Sequence, residues 1–205
     1  FQLHAVSEDL IHWTKTGPIE GVPTQPGYDP DDWRDPFVFW CQEQEEYLML
    51  LGGRKAGPKT QQTGRTVWYT SKDLKTWEFQ GDFWAPDLYT MHEMPDVFYM
   101  DGWWYHIITE YSHRSKMVYR MSKSLQGPWL TPKDDAFDGR AYYAGRTFAM
   151  DGKRYLLGWV PTKVGDSDKG AFQGAGTFVP HQLYQREDGT LGCAMPDTVR
   201  AAFVE

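Results

Sequence analysis

The sequence has few cysteines, no long apolar run and no excess of positive charge. Its two cysteines, Cys41 and Cys193, lie far apart and form neither a CxxC pair nor a disulfide ladder, so they indicate no compartment and leave the localisation open. No apolar run approaches the roughly 20 residues that cross a bilayer, which argues against a membrane partner. The formal net charge of −7 argues against a nucleic-acid partner, since such proteins usually carry a basic face.

Helical patterns and metal-site motifs are also missing. No segment carries an apolar stripe at helical spacing, and strand-type residues dominate the periodic segments, so the sequence predicts an all-β protein. None of the six histidines belongs to a zinc motif such as HExxH, and we expect neither a metal nor a cofactor. Ten tryptophans and an aromatic content of 16% favour aromatic-rich sheets and a sugar-binding site, although core packing is the usual role of any one tryptophan.

The sequence does contain a signature of the form Ser-x-x-Leu-x-x-Trp, which recurs three times. It occupies Ser7–Trp13 and Ser71–Trp77 and, with one added residue, Ser122–Trp129. The signature tryptophans are 64 and 52 residues apart. These intervals are close to the roughly 40–50 residues of a four-stranded propeller blade, so the repeat predicts a β-propeller.

The predicted blades follow one another along the chain. Residues 1–20 form the end of one blade, residues 33–80 and 92–132 form two further blades, and residues 140–205 form a closing blade. Their expected strands are Asp35–Trp40, Tyr47–Leu51, Thr66–Thr70, Pro95–Met100, Trp103–Ile108, Met117–Met121, Gly145–Met150 and Arg154–Trp159.

Three glycine-containing segments are predicted to lie between strands. The pairs Asp101-Gly102 and Asp151-Gly152 predict two-residue hairpin turns, because these turns need positive φ at both central positions. The segment Gly52–Gly57 resembles a phosphate-binding loop only superficially, since it lacks the GxxxxGK[ST] order, and we expect a flexible loop at the rim of the propeller funnel.

Two carboxylates fall at nearly equivalent places in consecutive repeats. Asp35 and Glu93 each precede an innermost strand, and such strands line one central funnel in a propeller. Glycosidic cleavage needs one carboxyl group to donate a proton and another to meet the charge that develops at the anomeric carbon. Neighbouring carboxylates also raise the proton affinity of one another, which would keep Glu93 protonated near neutral pH for its role as a general acid. The alternative is that both are turn or strand-start residues held by backbone amides.

Several motifs make the chain resemble glycoside hydrolase family 32, the family of invertases, inulinases and levanases. Arg34-Asp35-Pro36 resembles the family's Arg-Asp-Pro motif, and Glu93–Asp96 resembles its Glu-Cys-Pro-Asp motif with Met in place of Cys. Tyr143–Phe148, Arg154–Trp159 and Phe178–Leu183 are similar to segments of the family's last blade.

The resemblance implies a five-bladed propeller and retaining hydrolysis of β-fructosides such as sucrose and fructans. It implies that Asp35 stabilises the transition state and that Glu93 is the acid/base. Arg34 is then expected to bind fructosyl hydroxyls, or alternatively to form a plain salt bridge. Asp96 is expected to orient Glu93, or alternatively to be a strand-end residue bonded to backbone.

Three more residues complete the expected substrate-binding set. These are Trp33, Tyr143 and Arg146. Arg146 stands where the family commonly has Gln, so it either favours an anionic or phosphorylated sugar or pairs with a nearby acid. The expected partner is therefore a carbohydrate.

One family feature has no counterpart in the sequence, namely the nucleophilic Asp of an Asn-Asp-Pro motif in the first blade. The only other Asp-Pro pair, Asp29-Pro30, lies in an expected polar loop, Gln25–Asp32, and receives no catalytic role. The chain, which begins at Phe1, is therefore expected to be a processed protein or a fragment holding about three and a half blades. Such a segment is expected to be inactive alone and could associate through open strand edges.

Two other functions stay open at this stage. One is an arabinosidase or xylosidase of the glycoside hydrolase family 43 type, which also uses an Asp and a Glu in a five-bladed propeller. The other is a carbohydrate-binding propeller without catalysis, because fold alone does not determine substrate.

Overall fold

The computed structural model describes residues 2–112, 115–167 and 169–203. In this part of the chain antiparallel strands dominate, with one short α-helix at Asp197–Ala201 and a 3₁₀ turn at Val164–Asp166. The predicted all-β class is confirmed. The chain divides into two compact units, Phe1–Pro95 and Asp96–Glu205, which are described separately.

The first unit contains a two-stranded and a four-stranded antiparallel sheet. The two-stranded sheet pairs β1 with β2, and the four-stranded sheet has the order β3-β4-β5-β6. The strands are β1 (Leu3–Val6), β2 (Thr14–Pro18), β3 (Tyr28–Cys41), β4 (Glu46–Lys55), β5 (Gly64–Ser71), β6 (Glu78–Trp84) and the start of β7 (Met91–Met100).

Strand β4 corrects the loop predicted at Gly52–Gly57. Gly52, Gly53 and Arg54 belong to this strand and are buried. A Cβ on Gly52 would lie 2.2 Å from the carbonyl oxygen of His92, and one on Gly53 would lie 3.3 Å from the ring of Trp33. The glycines therefore permit a close approach of backbone and ring to the strand. Of the predicted loop, Gly52–Lys55 is strand, and only Ala56 and Gly57 lie beyond its end.

The recurring signature forms a turn that follows a strand, as seen after β1 and after β5. Ser71 ends β5, and its Oγ accepts hydrogen bonds from the backbone N–H groups of Asp73 (3.2 Å) and Leu74 (2.9 Å). Ser7 accepts the corresponding bonds from Asp9 (3.3 Å) and Leu10 (2.8 Å). The short Ser and Asp side chains satisfy the amides of the turn, which explains why these residue types recur.

The second unit contains strands from two antiparallel sheets, one of which also includes β7. Their orders are β7-β8-β9 and β10-β11-β12-β13. The strands are β8 (Trp103–Tyr111), β9 (Lys116–Ser122), β10 (Tyr143–Met150), β11 (Lys153–Lys163), β12 (Phe172–Gln185) and β13 (Leu191–Ala194).

The two Asp-Gly turns lie where the sequence predicts them. Asp101 and Gly102 have φ values of 44° and 84°, and Asp151 and Gly152 have 52° and 72°. Met150 pairs with Lys153 across the second turn, so the loop has two residues. Positive φ at both positions matches the twist of the flanking strands.

Each unit has its own apolar core. In the first unit the core is built largely from side chains of the four-stranded sheet. It includes Trp33, Met49, Leu51, Val67 and Tyr69, which lie on β3, β4 and β5. In the second unit it includes Phe98, Tyr105, Ile107, Tyr119 and Leu156.

The grouping of the sheets into blades stays a prediction. No helix in the described ranges is long and apolar enough to cross a membrane.

Candidate active site

Two irregular backbone positions place the carboxylates that the sequence singles out. Asp35 lies in β3 with a φ of 63°, within a register shift between Arg34 and Phe37. Glu93 lies in β7, directly before Met94, whose φ is 50°. The Oδ2 of Asp35 accepts a hydrogen bond of 3.1 Å from the backbone N–H of Met94. Positive φ at non-glycine residues is a strained conformation that is common at functional sites.

Arg34 is the centre of the cluster. Its Nη2 donates a 2.6 Å hydrogen bond to Oε1 of Glu93, and its Nη1 donates one of 2.6 Å to Oδ1 of Asp32. Its Nε lies 3.9 Å from Oδ2 of Asp35. The Arg34 side chain is 37% exposed whereas that of Glu93 is 10% exposed, so a partly exposed arginine contacts a largely buried acid. The salt-bridge alternative for Arg34 is thus observed.

The environment of Glu93 favours its protonated form. Burial raises the pKa of the Glu93 carboxyl above its ordinary value. The hydrogen bond and charge of Arg34 oppose this rise, and the charges of Asp35 and Asp32 add to it. A carboxyl group with a raised pKa can deliver a proton nearer to neutral pH, which is the property that a general acid needs.

Asp32 has the opposite character. Burial opposes its ionisation, but hydrogen bonds from Arg34, Arg54 and Lys59 outweigh burial and hold the pKa of this carboxyl well below its usual range. Asp32 therefore stays charged where Glu93 tends to hold its proton. Two carboxylates on either side of one guanidinium are driven in opposite directions by their surroundings.

The residues behind Arg34 were not predicted from the sequence. Asp29 and Asp32 belong to β3 and not to a polar loop, and both are bonded to Arg54 of β4. Asp29 also accepts hydrogen bonds from the backbone N–H groups of Asp31 and Asp32. Its carboxylate is therefore held by nearby backbone amides and by Arg54. The only signal in the sequence was an acidic run next to the Arg-Asp-Pro motif. Acidic residues that are buried require a cation as partner.

The position of Trp33 does not match its predicted role in substrate binding. Its side chain is 3% exposed and lies in the core of the first unit. The ring centroid is 5.0 Å from that of Tyr28 and 6.1 Å from that of Phe79. Because strand side chains alternate between faces, the residue next to Arg34 points to the opposite side. We therefore assign Trp33 to the core.

Asp96 lies in the second unit and is fully buried. Its Oδ2 accepts a 2.6 Å hydrogen bond from the backbone N–H of Thr147, whose Oγ1 accepts one of 2.9 Å from Nη1 of Arg154. Burial raises the pKa of Asp96, whereas the Thr147 bonds and the charges of Arg146 and Arg154 oppose the rise. The carboxylate of Asp96 is therefore bonded to backbone, but Asp96 lies inside β7 and not at its end. The charge of Arg146 acts on this acid, and the roles of both residues toward substrate stay predictions.

Tyr143 lies beside a pocket in the second unit. The pocket has a volume of about 340 Å³ and is lined in part by Tyr111, Tyr143, Trp159 and Phe172. The rings of Tyr143 and Trp159 meet edge to face with centroids 5.5 Å apart. Aromatic walls of this kind suit a ligand with apolar faces.

A metal site is not evident in the described ranges. There, no group of three or more His, Cys, Asp or Glu side chains is arranged to hold a metal ion. Three carboxylates, those of Asp32, Asp35 and Glu93, do converge around Arg34.

Fold and site together define an all-β protein of antiparallel sheets that gathers carboxylates around an arginine. The family model for the glycosyl hydrolases family 32 N-terminal domain matches residues 1–190. The chain therefore belongs to glycosyl hydrolase family 32. This confirms the family that the motifs indicate.

Relatives by sequence include hydrolases of this family. The chain is 38% identical over 177 residues to the probable sucrose-6-phosphate hydrolase of Psychromonas ingrahamii, an alignment that covers 78% of this chain and 30% of that protein. It is 26% identical over 210 residues to the levanbiose-producing levanase of Bacillus subtilis, covering 83% and 35%. The chain thus spans about a third of the length of these two relatives.

Solved structures share the fold. The sucrose-6-phosphate hydrolase of Lactobacillus gasseri superposes with a TM-score of 0.75 at 22% identity, covering 98% of this chain and 43% of that one. The Bombyx mori GH32 β-fructofuranosidase BmSUC1 superposes with a TM-score of 0.68 at 24% identity, covering 96% and 44%. These similarities confirm the predicted fold class, and the number of blades stays a prediction.

Proposed function

We propose that the protein is a β-fructosidase, which cleaves the glycosidic bond of sucrose-type and fructan substrates with retention of configuration. In this proposal Glu93 is the acid/base and Asp35 stabilises the transition state. Arg34, whose side chain is partly exposed, binds hydroxyl groups of the fructosyl unit. Family membership favours fructosides over the arabinosides and xylosides considered from the sequence.

The observation that carries the proposal is the contact between Arg34 and Glu93 with Asp35 beside them. An acid of raised pKa lies 2.6 Å from the arginine, and a second carboxylate lies 3.9 Å from the same arginine. Glycosidases need one protonated and one ionised carboxyl group around the scissile bond. The cluster places a carboxyl group of raised pKa and a second carboxyl group around one arginine in the first unit.

The proposed chemistry begins with proton transfer from Glu93 to the leaving oxygen. Positive charge that develops on the fructosyl carbon is then stabilised by the carboxylate of Asp35. A retaining mechanism also needs a nucleophile, and we assign that role to none of the described carboxylates. Asp29 is unsuited to it because Arg54 and two backbone amides hold its carboxylate.

The proposed substrate class follows the relatives, which include sucrose-6-phosphate hydrolases and levanases. Tyr143 is proposed to contact substrate through the aromatic pocket that it lines. Asp96 and Arg146 are proposed to act indirectly, because the acid is fully buried and the charge of Arg146 acts on it. We also propose that the chain associates through open strand edges.

Hydrolysis by the protein at the full length that its gene encodes tests the proposal. Sucrose, sucrose 6-phosphate, levan and inulin are the substrates, and arabinan and xylan are the comparison. We expect fructose release from at least one fructoside and a roughly 100- to 10,000-fold lower kcat for Glu93→Gln, since Gln cannot donate the proton.

The matched control is Glu78→Gln, which makes the same change at an exposed position in β6. We expect its kcat to equal that of the natural protein. Release of arabinose or xylose in place of fructose, or equal kcat for Glu93→Gln and Glu78→Gln, contradicts the proposal.

A further inference from the structure

A charged cluster behind Arg34 is not used by the proposed chemistry. Asp32, whose side chain is 7% exposed, accepts a 2.6 Å hydrogen bond from Nη1 of Arg34 through Oδ1. Its Oδ2 accepts one of 2.8 Å from Nε of Arg54 and lies 3.0 Å from Nζ of Lys59. One buried carboxylate thus joins three cations.

Arg54 fixes the position of that carboxylate. Its side chain is 6% exposed, and its Nη1 donates hydrogen bonds to the carbonyl oxygens of Lys55 (3.1 Å) and Gly57 (3.0 Å). Its Nη2 contacts Asp29. Backbone groups and a second carboxylate therefore hold Arg54, which in turn holds Asp32. A buried network with several partners for each member is rigid.

We propose that Asp32 is a positioning residue for the active site, which orients Arg34 so that Nη2 stays on Glu93 while the guanidinium is shared between the two carboxylates. This inference rests on the proposed function. Asp32 acts through Arg34 and does not itself contact substrate. The geometry gives it this role because Nη1 and Nη2 of one planar group bond to Asp32 and Glu93 at the same distance of 2.6 Å.

Because Asp32 and Glu93 share the guanidinium of Arg34, the charge of Asp32 affects the proton affinity of Glu93. Charged groups that act on Glu93 include Arg34, Asp35 and Asp32, and those that act on Asp32 include Arg34, Arg54 and Lys59. An arginine paired with Glu93 alone stabilises the ionised acid more strongly than a shared one. Asp32 also opposes ionisation of Glu93 by its own charge. Loss of the Asp32 charge is therefore expected to lower the pKa of Glu93.

The test measures this pKa in the full-length protein by NMR titration of the carboxyl carbon of Glu93, beside the pH profile of fructoside hydrolysis. We expect Asp32→Asn to lower the pKa of Glu93 by about 0.5 units or more. The alkaline limb of kcat/KM moves down by the same amount, because Glu93 must be protonated to act. KM rises as well, since Arg34 is less firmly oriented.

Asp31→Asn is the matched control. It makes the same change one residue earlier, at an exposed position whose contact with Arg34 is through its backbone carbonyl, which the substitution leaves in place. We expect no shift in the pKa of Glu93. A merely structural role for Asp32 would lower the melting temperature and leave the pKa and the alkaline limb unchanged.

A second variant keeps the test decisive if Asp32→Asn does not fold. Lys59 has a half-exposed side chain, and Lys59→Met removes one cation from Asp32. Asp32 then attracts Arg34 more strongly, so the pKa of Glu93 rises by about 0.3 units, opposite in sign to the first variant. A fall or no change contradicts the inference.

The outcomes separate the inference from the proposed function. If no fructoside is hydrolysed but the pKa of Glu93 moves as expected, the proposed function fails and the coupling of Asp32 to Glu93 stands. If fructosides are hydrolysed and a folded Asp32→Asn protein keeps both the pKa and the alkaline limb of the natural protein, the inference is wrong.

Discussion

At the scale of single residues, neighbours decide the role of each side chain more than its chemical type does. Asp32 and Glu93 are both buried carboxyl groups bonded to Arg34. Asp32 has two further cations and is held ionised, whereas burial dominates at Glu93 and raises its pKa. Three cations hold Asp32 as a structural charge, whereas burial gives Glu93 the raised pKa that suits its proposed role as proton donor.

Trp33 offers a prediction at the same scale. We expect Trp33→Ala to lower the free energy of unfolding by about 3–5 kcal/mol, because it removes a fully packed aromatic side chain from the core of the first unit. Urea unfolding followed by circular dichroism measures the loss.

A tryptophan on the same strand serves as the control for Trp33. Trp40 is 46% exposed and packs edge to face on Tyr47 with centroids 4.9 Å apart. We expect Trp40→Ala to cost only about 0.5–1.5 kcal/mol, which is the value of an exposed aromatic pair. Equal losses for the two variants would mean that Trp33 is not a core residue.

At the scale of elements, a glycine allows β4 to pass close to the start of β7. We expect Gly52→Ala to cost about 1–3 kcal/mol of unfolding free energy, because its Cβ would lie 2.2 Å from the carbonyl oxygen of His92 and the backbone must shift. Thermal unfolding provides the measurement.

Gly174→Ala is the matched control within a strand. Gly174 lies in β12, and a Cβ there meets nothing within 4 Å. We expect its unfolding free energy to change by less than about 0.5 kcal/mol. A stable Gly52→Ala protein would show that the approach of the two segments is not tight.

The sequence predicted those elements whose causes are local. The Asp-Gly turns follow from positive φ at both central positions, which a short segment determines by itself. The start of β3 at Tyr28 and the strand at Gly52–Lys55 depend on partners that are distant in sequence, and both were predicted as loops.

The same distinction applies to the candidate site. The motifs located Arg34, Asp35 and Glu93, because their spacing follows the repeat. The pairing of Asp32 with Arg54 joins residues 22 positions apart, and no periodicity indicates it. Trp33 was misassigned because proximity to a catalytic motif in sequence says nothing about the face on which a strand residue lies.

At the scale of the whole molecule, buried carboxylates paired with cations make the free energy of unfolding depend on pH. The pKa of Asp32 is lowered by folding, so its contribution to stability is fully present above about pH 4, the ordinary range of the carboxyl, and is lost as pH falls through the lowered value. We expect Asp32→Asn to cost roughly 1–3 kcal/mol at about pH 6, because Arg34 and Arg54 lose their charged partner. The cost should shrink by about 1 kcal/mol at about pH 3, where the unfolded natural chain already binds a proton at Asp32. Urea unfolding of both proteins at the two pH values measures the change, and Asp31→Asn should show no such pH dependence. A cost that stays constant between the two pH values would show that the Asp32 charge does not stabilise the fold.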